Sequence, residues 1–325
     1  MRRLNLKHQQ AVYHCMSRTI QGRAFFHRRE KEVLRKMIWQ VADFSGVRVL
    51  TYCIMRNHFH VLVETPEEET PSRQELLRRY GVLYPQGCRF APLPRCELEA
   101  AFAEDGDRAA ELEAWLLNRM GDVSEFMRTL KLRFSKWYNY THETYGAVWA
   151  ERFKSVLVQG EGHPIRTVAA YIDLNPVRAG LVDDPSKYRF CGFCEASAGE
   201  RSALRGVERI MRSVGEATSS PLLSYKLTII YWGEDRAKAD CSGALSEAFV
   251  SSTDAEGSFK SAAQAFTKRC AFLTSGMLLG SIAFVEAHAG TYQKLRKRKH
   301  RPKPRAVEAE GFETLATMIA VTEKD

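Results

Sequence analysis

Apolar and polar positions follow two periods along this chain. Residues 10–19 (QAVYHCMSRT) are rich in β-branched, aromatic and small apolar types and read as a strand. Over 28–46 the apolar positions Val33, Met37, Ile38, Val41 and Phe44 recur at helical spacing, and Gly46 is a natural stop. Residues 47–55 (VRVLTYCIM) and 58–64 (HFHVLVE) then read as two neighbouring strands of an antiparallel hairpin, broken by Arg56 and Asn57.

From Thr65 the character changes. A polar, proline-punctuated exit leads into 67–120, which reads as a peripheral helical insertion. Residues 122–142 form a strong amphipathic pattern with Phe126, Leu130, Phe134 and Trp137 on one face and Asp122 or Ser124 as the cap. Residues 151–160 read as a strand. Residues 163–180 read as a helix with Pro164 in its first turn, although Pro176 disfavours helix at Asn175. The order β-α-β-β, insertion, α-β-α predicts an α+β domain whose antiparallel sheet is covered by helices.

The last third is harder to read. Residues 224–232 fit a strand or a buried helix. Residues 257–288 fit two helices about a Thr-Ser-Gly turn, a spacing shared by helix-turn-helix units and by ordinary helical hairpins. Residues 294–305 (KLRKRKHRPKPR) read as a flexible basic run.

With 325 residues the chain is expected to form one large domain or two smaller ones. A hydrophobic content of 45% is ample for a core, and 27% charged residues is ordinary for a soluble protein. The net charge of +9 and pI near 9.1 point to a polyanionic partner, nucleic acid ahead of membrane. No apolar segment follows the basic start, and 271–285 is too short and too interrupted to span a bilayer. Among eight scattered cysteines only Cys191 and Cys194 have CxxC spacing, and no second pair completes a zinc ribbon. Structural thiols in a reduced cytoplasm are the expectation, with a zinc or redox role as the alternative.

The candidate chemistry lies in two places. On a strand His58 and His60 point to one face, about 7 Å apart at strand rise, and Phe59, Val61 and Val63 point to the other. Such a pair can converge on one ion, but a bare His-x-His also fits two structural histidines. Tyr171 and Asn175 are four apart and share a face if the helix persists that far. Two imidazole nitrogens and the Asn175 amide oxygen would leave coordination positions open, which suits loosely held Mg²⁺ or Mn²⁺ with phosphate and water completing the shell. Tyr171 fits a nucleophile helped by a neighbouring cation or base, and it equally fits a core aromatic.

The segments YHCMSRTIQGRAFF, YCIMRNHFHVLVETP, FMRTLKLRFSKWYN, GAVWAERFKS and AAYIDLNPVRAGLV resemble, in order over about 10–195, the signatures of the REP-associated tyrosine transposases of the single-tyrosine HUH superfamily. U stands there for a bulky hydrophobic residue. FLTSGMLLGSIAFVEAH further on resembles the extra segment of longer members. The resemblance implies an RRM-like (ferredoxin-like) palm with His58, Phe59 and His60 as the HUH motif, Tyr171 as the nucleophile and Asn175 as the third, amide-type metal ligand. The chain is then expected to divide into a catalytic domain over 1–66 and 121–195, the 67–120 insertion, a mainly helical accessory domain over 200–292, and a basic segment and tail over 293–325; the insertion and the last third depart from compact members of the family.

The implied activity is metal-dependent cleavage and rejoining of single-stranded DNA at hairpins from repetitive extragenic palindromes, through a 5′-phosphotyrosine. A monomer or homodimer in the cytoplasm, associated with a bacterial nucleoid, is the matching expectation. Arg56, Lys131, Arg133, Lys136, Trp137, Arg152, Lys154 and Arg178, together with Lys294, Arg296, Lys297, Arg298 and Lys299, are the candidate DNA contacts. Three rivals are weighed. A rolling-circle initiator lacks support from a Tyr-x-x-x-Tyr pair or a helicase P-loop, and a histidine-triad hydrolase would need histidine where Leu62 stands. A non-catalytic nucleic-acid-binding module would bind without metal and form no covalent adduct.

Overall fold

Strand β1 (Ala11–Arg18) is buried along all but its last residue, the state of a strand paired on both edges and covered on both faces. The structure, a computed structural model, describes residues 4–6, 9–67, 70–213, 215, 220–230, 255–266, 272–275, 277–297, 299–307, 312 and 314–318. Helix α1 (Arg28–Ser45) follows β1. Its entry is held by a reciprocal bond between His27 and Glu30, and its exit by Gly46 at φ 69°. Strands β2 (Arg48–Ile54) and β3 (His58–Thr65) form the expected antiparallel hairpin, with a register shift between Val49 and Thr51.

The insertion contains three helices, α2 (Arg73–Leu83), α3 (Arg95–Glu104) and α4 (Asp107–Leu117). Helix α5 (Val123–Thr141) returns the chain to the palm and packs on α1. Asp122 is its cap, accepting from the backbone N–H groups of Ser124 (2.6 Å) and Glu125 (3.0 Å). Strand β4 (Lys154–Val158) pairs with the free edge of β1. The order β2-β3-β1-β4, antiparallel throughout, is that of a ferredoxin-like palm built from β-α-β-β-α-β. The fold is α+β.

The two faces of this sheet are differently used. Phe59 points to the α1–α5 side, where its ring lies 5.6 Å from that of Trp149, itself 5.6 Å from Phe134. The opposite face carries His14, Met16, His58, His60 and Leu62, and α6 (His163–Asp173) lies against it. The chain then passes Leu174 and makes one more short turn, α7 (Asn175–Arg178). Pro176 thus divides the helix expected over 163–180 into two pieces, joined by Leu174 in the right-handed helical region.

Helices α8 (Gly192–Ser197) and α9 (Arg201–Arg212) pack at the β2 edge. Their approach needs glycine. A Cβ on Gly206 would sit 2.2 Å from the carbonyl oxygen of Leu50, and one on Gly192 would sit 2.3 Å from the Thr51 hydroxyl. Cys191 is buried and accepts from the backbone of Cys194 at 3.4 Å, a structural use of the CxxC spacing. Helix α10 (Pro221–Ile230) resolves the ambiguity over 224–232 in favour of helix for the described residues; Trp232 lies outside them. Tyr225 on α10 donates to Asp173 at 2.7 Å, and Thr51 on β2 donates to the same carboxyl at 2.7 Å, so α6 is pinned between α10 and the sheet.

Among its described residues the last third is mainly helical, as expected, but it also enters the sheet. After α11 (Ala255–Ala265) and the short α12 (Phe272–Ser275), strand β5 (Leu278–Gly280) pairs in parallel with β4. Helix α13 (Ile282–Arg296) follows, and β6 (Arg305–Ala306) and β7 (Ala316–Thr317) complete a sheet of order β2-β3-β1-β4-β5-β7-β6 among the described residues. The expected pair of helices about Thr-Ser-Gly is thus corrected in part: Thr274 and Ser275 end α12, and strand β5 stands between it and the second helix, α13. The basic run is no free tail either. Lys294 and Arg296 belong to the last turn of α13, where cations face the carbonyl end of the helix, and Arg305 is in β6. Among the described residues no helix is long and apolar enough to cross a membrane.

Candidate active site

Two segments far apart in sequence, β3 and the adjoining α6 and α7, meet on the histidine face. His58 and His60 come from β3, Tyr171 from α6, and Arg178 from α7. The His58 and His60 rings lie 5.2 Å apart, and the His60 and Tyr171 rings 5.7 Å apart and edge-on. The guanidinium carbon of Arg178 lies 4.7 Å from the centre of the Tyr171 ring, a cation–π distance, and its Nε is buried with no hydrogen-bond partner. Tyr171 is 7% exposed and His60 2%. Both are therefore largely covered, and part of the cover is Phe266 from beyond α11, whose ring is 5.8 Å from Tyr171.

Strand pairing adds three residues that sequence reasoning missed. Met16 stands opposite His60 and Arg18 opposite His58, so alternate β1 residues share the histidine face. His14, two positions before Met16, is buried with its ring stacked 5.1 Å from His60 and 6.0 Å from Tyr171. Its signal was present in YHCMSR, where positions 14, 16 and 18 alternate, but it is visible only once β1 is known to pair with β3.

The electrostatics keep the imidazoles neutral. Burial pushes His58 down to about 4, aided by the Arg18 and Arg178 cations. Burial likewise holds His60 well below the ordinary imidazole value, with His14, His58, Arg178 and Arg18 adding to it. His14 is pushed down to about 4 by burial, opposed by its bond to the Leu273 carbonyl. A neutral imidazole is the ligand form.

The donor set fits a divalent cation. Nδ1 of His58 is engaged with Asn57 Oδ1 at 2.7 Å, and Nδ1 of His60 with His14 at 2.9 Å, so Nε2 is the nitrogen of each ring outside these bonds. Asn175 donates from Nδ2 to the carbonyls of Tyr171 (2.9 Å) and Ile172 (3.3 Å), which leaves its Oδ1 as the atom with no part in them. Among the described residues no three His, Cys, Asp or Glu side chains form a metal-binding set.

The candidate DNA contacts scatter. Arg56 is exposed in the β2–β3 turn, two residues before His58, and Lys136, Arg152 and Lys154 are exposed elsewhere on the palm. Lys131 donates to the carbonyl of Glu151 at 2.7 Å and lies over Trp149. Trp137 packs on Phe134 with ring centres 5.6 Å apart. Arg133 lies over the Tyr84 ring at 5.3 Å and donates to Gln40 at 3.3 Å, so it joins the insertion to the palm. Lys294, Lys297 and Lys299 are exposed at the end of α13, Arg296 packs over Tyr292 in the same helix, and Arg298 lies outside the described residues.

Residues 7–74 match the family model Transposase IS200 like. The matched segment contains β1, α1 and the hairpin, and with them His14, Arg18, His58 and His60; Tyr171, Asn175 and Arg178 lie outside it. The transposase resemblance of the sequence is thus met over the histidine half of the site. A solved structure described as "Structure of the REP associates tyrosine transposase bound to a REP hairpin" aligns over 61% of this chain and 84% of that chain, at 16% identity and a TM-score of 0.39. No curated protein matches the chain.

Proposed function

We propose that this protein cleaves and rejoins single-stranded DNA at palindromic hairpins by transesterification, with Tyr171 as the nucleophile. The observation that carries the reading is the meeting of Tyr171 with His60 and Arg178, at 5.7 Å between rings and 4.7 Å from guanidinium carbon to ring centre. The transposase family match over the histidine strand supports it, and a net charge of +9 suits a polyanionic substrate.

In this reading the Tyr171 oxygen attacks phosphorus. The Oη–P bond forms as the P–O3′ bond breaks, the tyrosine proton departs, and the leaving 3′ oxygen takes up a proton. The products are a 5′-phosphotyrosine and a free 3′-OH. One phosphodiester is exchanged for another, so a second 3′-OH can reverse the step without ATP. Arg178 stands where a guanidinium can hold the non-bridging oxygens as charge builds on them. His58, His60 and Asn175 would hold Mg²⁺ or Mn²⁺, which when bound supplies Lewis-acid polarisation of the scissile phosphate. The exposed cations Arg56, Lys136, Arg152, Lys154, Lys294, Lys297 and Lys299 serve as backbone contacts.

The test is incubation of the full chain with single-stranded hairpins of the repetitive extragenic palindrome type and Mg²⁺ or Mn²⁺, followed by denaturing electrophoresis. A protein-linked 5′ end is expected. Cleavage that leaves both ends free of protein would point to water as the nucleophile and reject the reading.

A further inference from the structure

His14 takes no part in the reaction as proposed, yet it is 2% exposed and both of its ring nitrogens are engaged. Nδ1 lies 2.6 Å from the carbonyl oxygen of Leu273 on α12, and Nε2 lies 2.9 Å from Nδ1 of His60. A carbonyl only accepts, so Nδ1 of His14 carries the hydrogen. A neutral imidazole carries just one, so Nε2 of His14 is an acceptor and His60 donates to it from Nδ1. The same rule applied to His60 leaves the lone pair on Nε2. The polarity of the whole relay is therefore set at its far end, by a backbone carbonyl that cannot be inverted.

His58 reaches the same form by an independent route. Asn57 donates from Nδ2 to the carbonyl of Gly22 at 3.0 Å, which fixes the amide and turns Oδ1 toward Nδ1 of His58 at 2.7 Å. His58 must donate there, and its lone pair also falls on Nε2. Two neighbouring histidines that each spend Nδ1–H on a different partner, and each leave Nε2 bare, have the arrangement in which an outer hydrogen bond fixes the tautomer of a metal ligand. With the hydrogen on Nε2 instead, the donor atom would be blocked.

We propose that His14 is a positioning residue: anchored by the carbonyl of Leu273, it holds His60 in the Nδ1–H form and so keeps the Nε2 lone pair available to a divalent cation. What Nε2 binds rests on the metal reading above; the tautomer is a property of the metal-free protein. The proposal also gives the last third of the chain a part in the site, because Leu273 reaches across to β1 from α12.

The experiment uses full-length protein labelled with ¹⁵N-histidine and stripped of metal. Two-bond ¹H–¹⁵N correlation spectra near neutral pH read the tautomer of each ring, and free Mn²⁺ measured by electron paramagnetic resonance reads binding. In the wild type His60 is expected as the Nδ1–H form. In His14→Phe, which keeps a ring but offers no acceptor, His60 should lose that form and Mn²⁺ binding should weaken about 10- to 100-fold. In His14→Gln, whose side-chain oxygen can stand near the position of Nε2, both should recover at least in part. Finding His60 with its hydrogen on Nε2 in the wild type overturns the proposal even if no variant folds, as does an unchanged Nδ1–H form in a folded His14→Phe. A wild type with the expected tautomer that takes up no Mn²⁺ supports the role of His14 and rejects the metal reading instead.

Discussion

Arg178 sits over the ring of Tyr171, its guanidinium carbon 4.7 Å from the ring centre. They lie in α6 and α7, which only Leu174 separates, so the sequence AAYIDLNPVR delivers the cation to the tyrosine ring. If Arg178 stabilises charge on phosphate, Arg178→Ala should slow single-turnover adduct formation by about 100- to 1,000-fold. Arg178→Lys should restore only part, because an ammonium cannot reproduce the planar fork. Equal rates for wild type and Arg178→Ala would remove Arg178 from the chemistry.

Tyr171 is 7% exposed, whereas Tyr145 is 98% exposed and Tyr140 59%. Nitration by tetranitromethane followed by peptide mass spectrometry should modify Tyr145 and Tyr140 well before Tyr171. Phe266→Ala, which deletes a ring 5.8 Å from Tyr171, should speed its nitration and lower stability by about 3–5 kcal/mol. Tyr171→Phe should abolish the DNA adduct and retain DNA binding, while Tyr140→Phe and Tyr145→Phe should still form it. An adduct mapped to either of those two would displace Tyr171 as nucleophile.

The two histidines of β3 should separate in stability but not in chemistry. His60 is buried and bonded to His14, so His60→Ala strands the His14 nitrogen and should cost about 1–3 kcal/mol. His58 is half-buried at the rim and should cost less. Urea unfolding measures the difference, and both variants should fail to form the adduct. Full adduct formation by either would leave that histidine with a structural role alone.

Asp173 gives a signed pH dependence. Its carboxyl is completely buried, and burial raises it from 3.8 to about 7 against the opposing bonds from Tyr225, Thr51 and the Phe193 backbone. The folded protein thus holds this proton more tightly than the unfolded chain does. The associated stability is present below 3.8 and is lost as pH rises through about 7. Measured against Asp173→Asn, which cannot titrate, the wild type should lose unfolding free energy as pH goes from about 4 to about 7 and level off above that. A difference that grows in the opposite direction would mean that the three donors outweigh burial.

Much of the palm was legible because its elements are long enough to show their period. The β1, α1, β2–β3 and α5 segments each carry a clear alternation or helical stripe, and the histidine face follows from strand parity alone. His14 was not legible, since its relation to His60 depends on the β1–β3 register, where Met16 stands opposite His60. Strands β5, β6 and β7 are three, two and two residues long, too short to show any period, and exist because a neighbour pairs with them. The seat of Arg133 was not legible either, because a charge in a sequence does not reveal the Tyr84 ring beneath it.

Strand β5 has one more consequence. The backbone of β4 that faces away from β1 is occupied by β5, with Leu157 N–H bonded to the Met277 carbonyl at 2.8 Å and Gln159 N–H to Leu279 at 2.8 Å. The chain has stitched its own later segment onto the margin that a second copy would otherwise use for strand-to-strand assembly. At the new margin lies β6, only two residues long, which offers little purchase for growth. A fragment ending near residue 200 would bare the β4 edge opposite β1, and it should self-associate in light scattering more strongly than the full chain does.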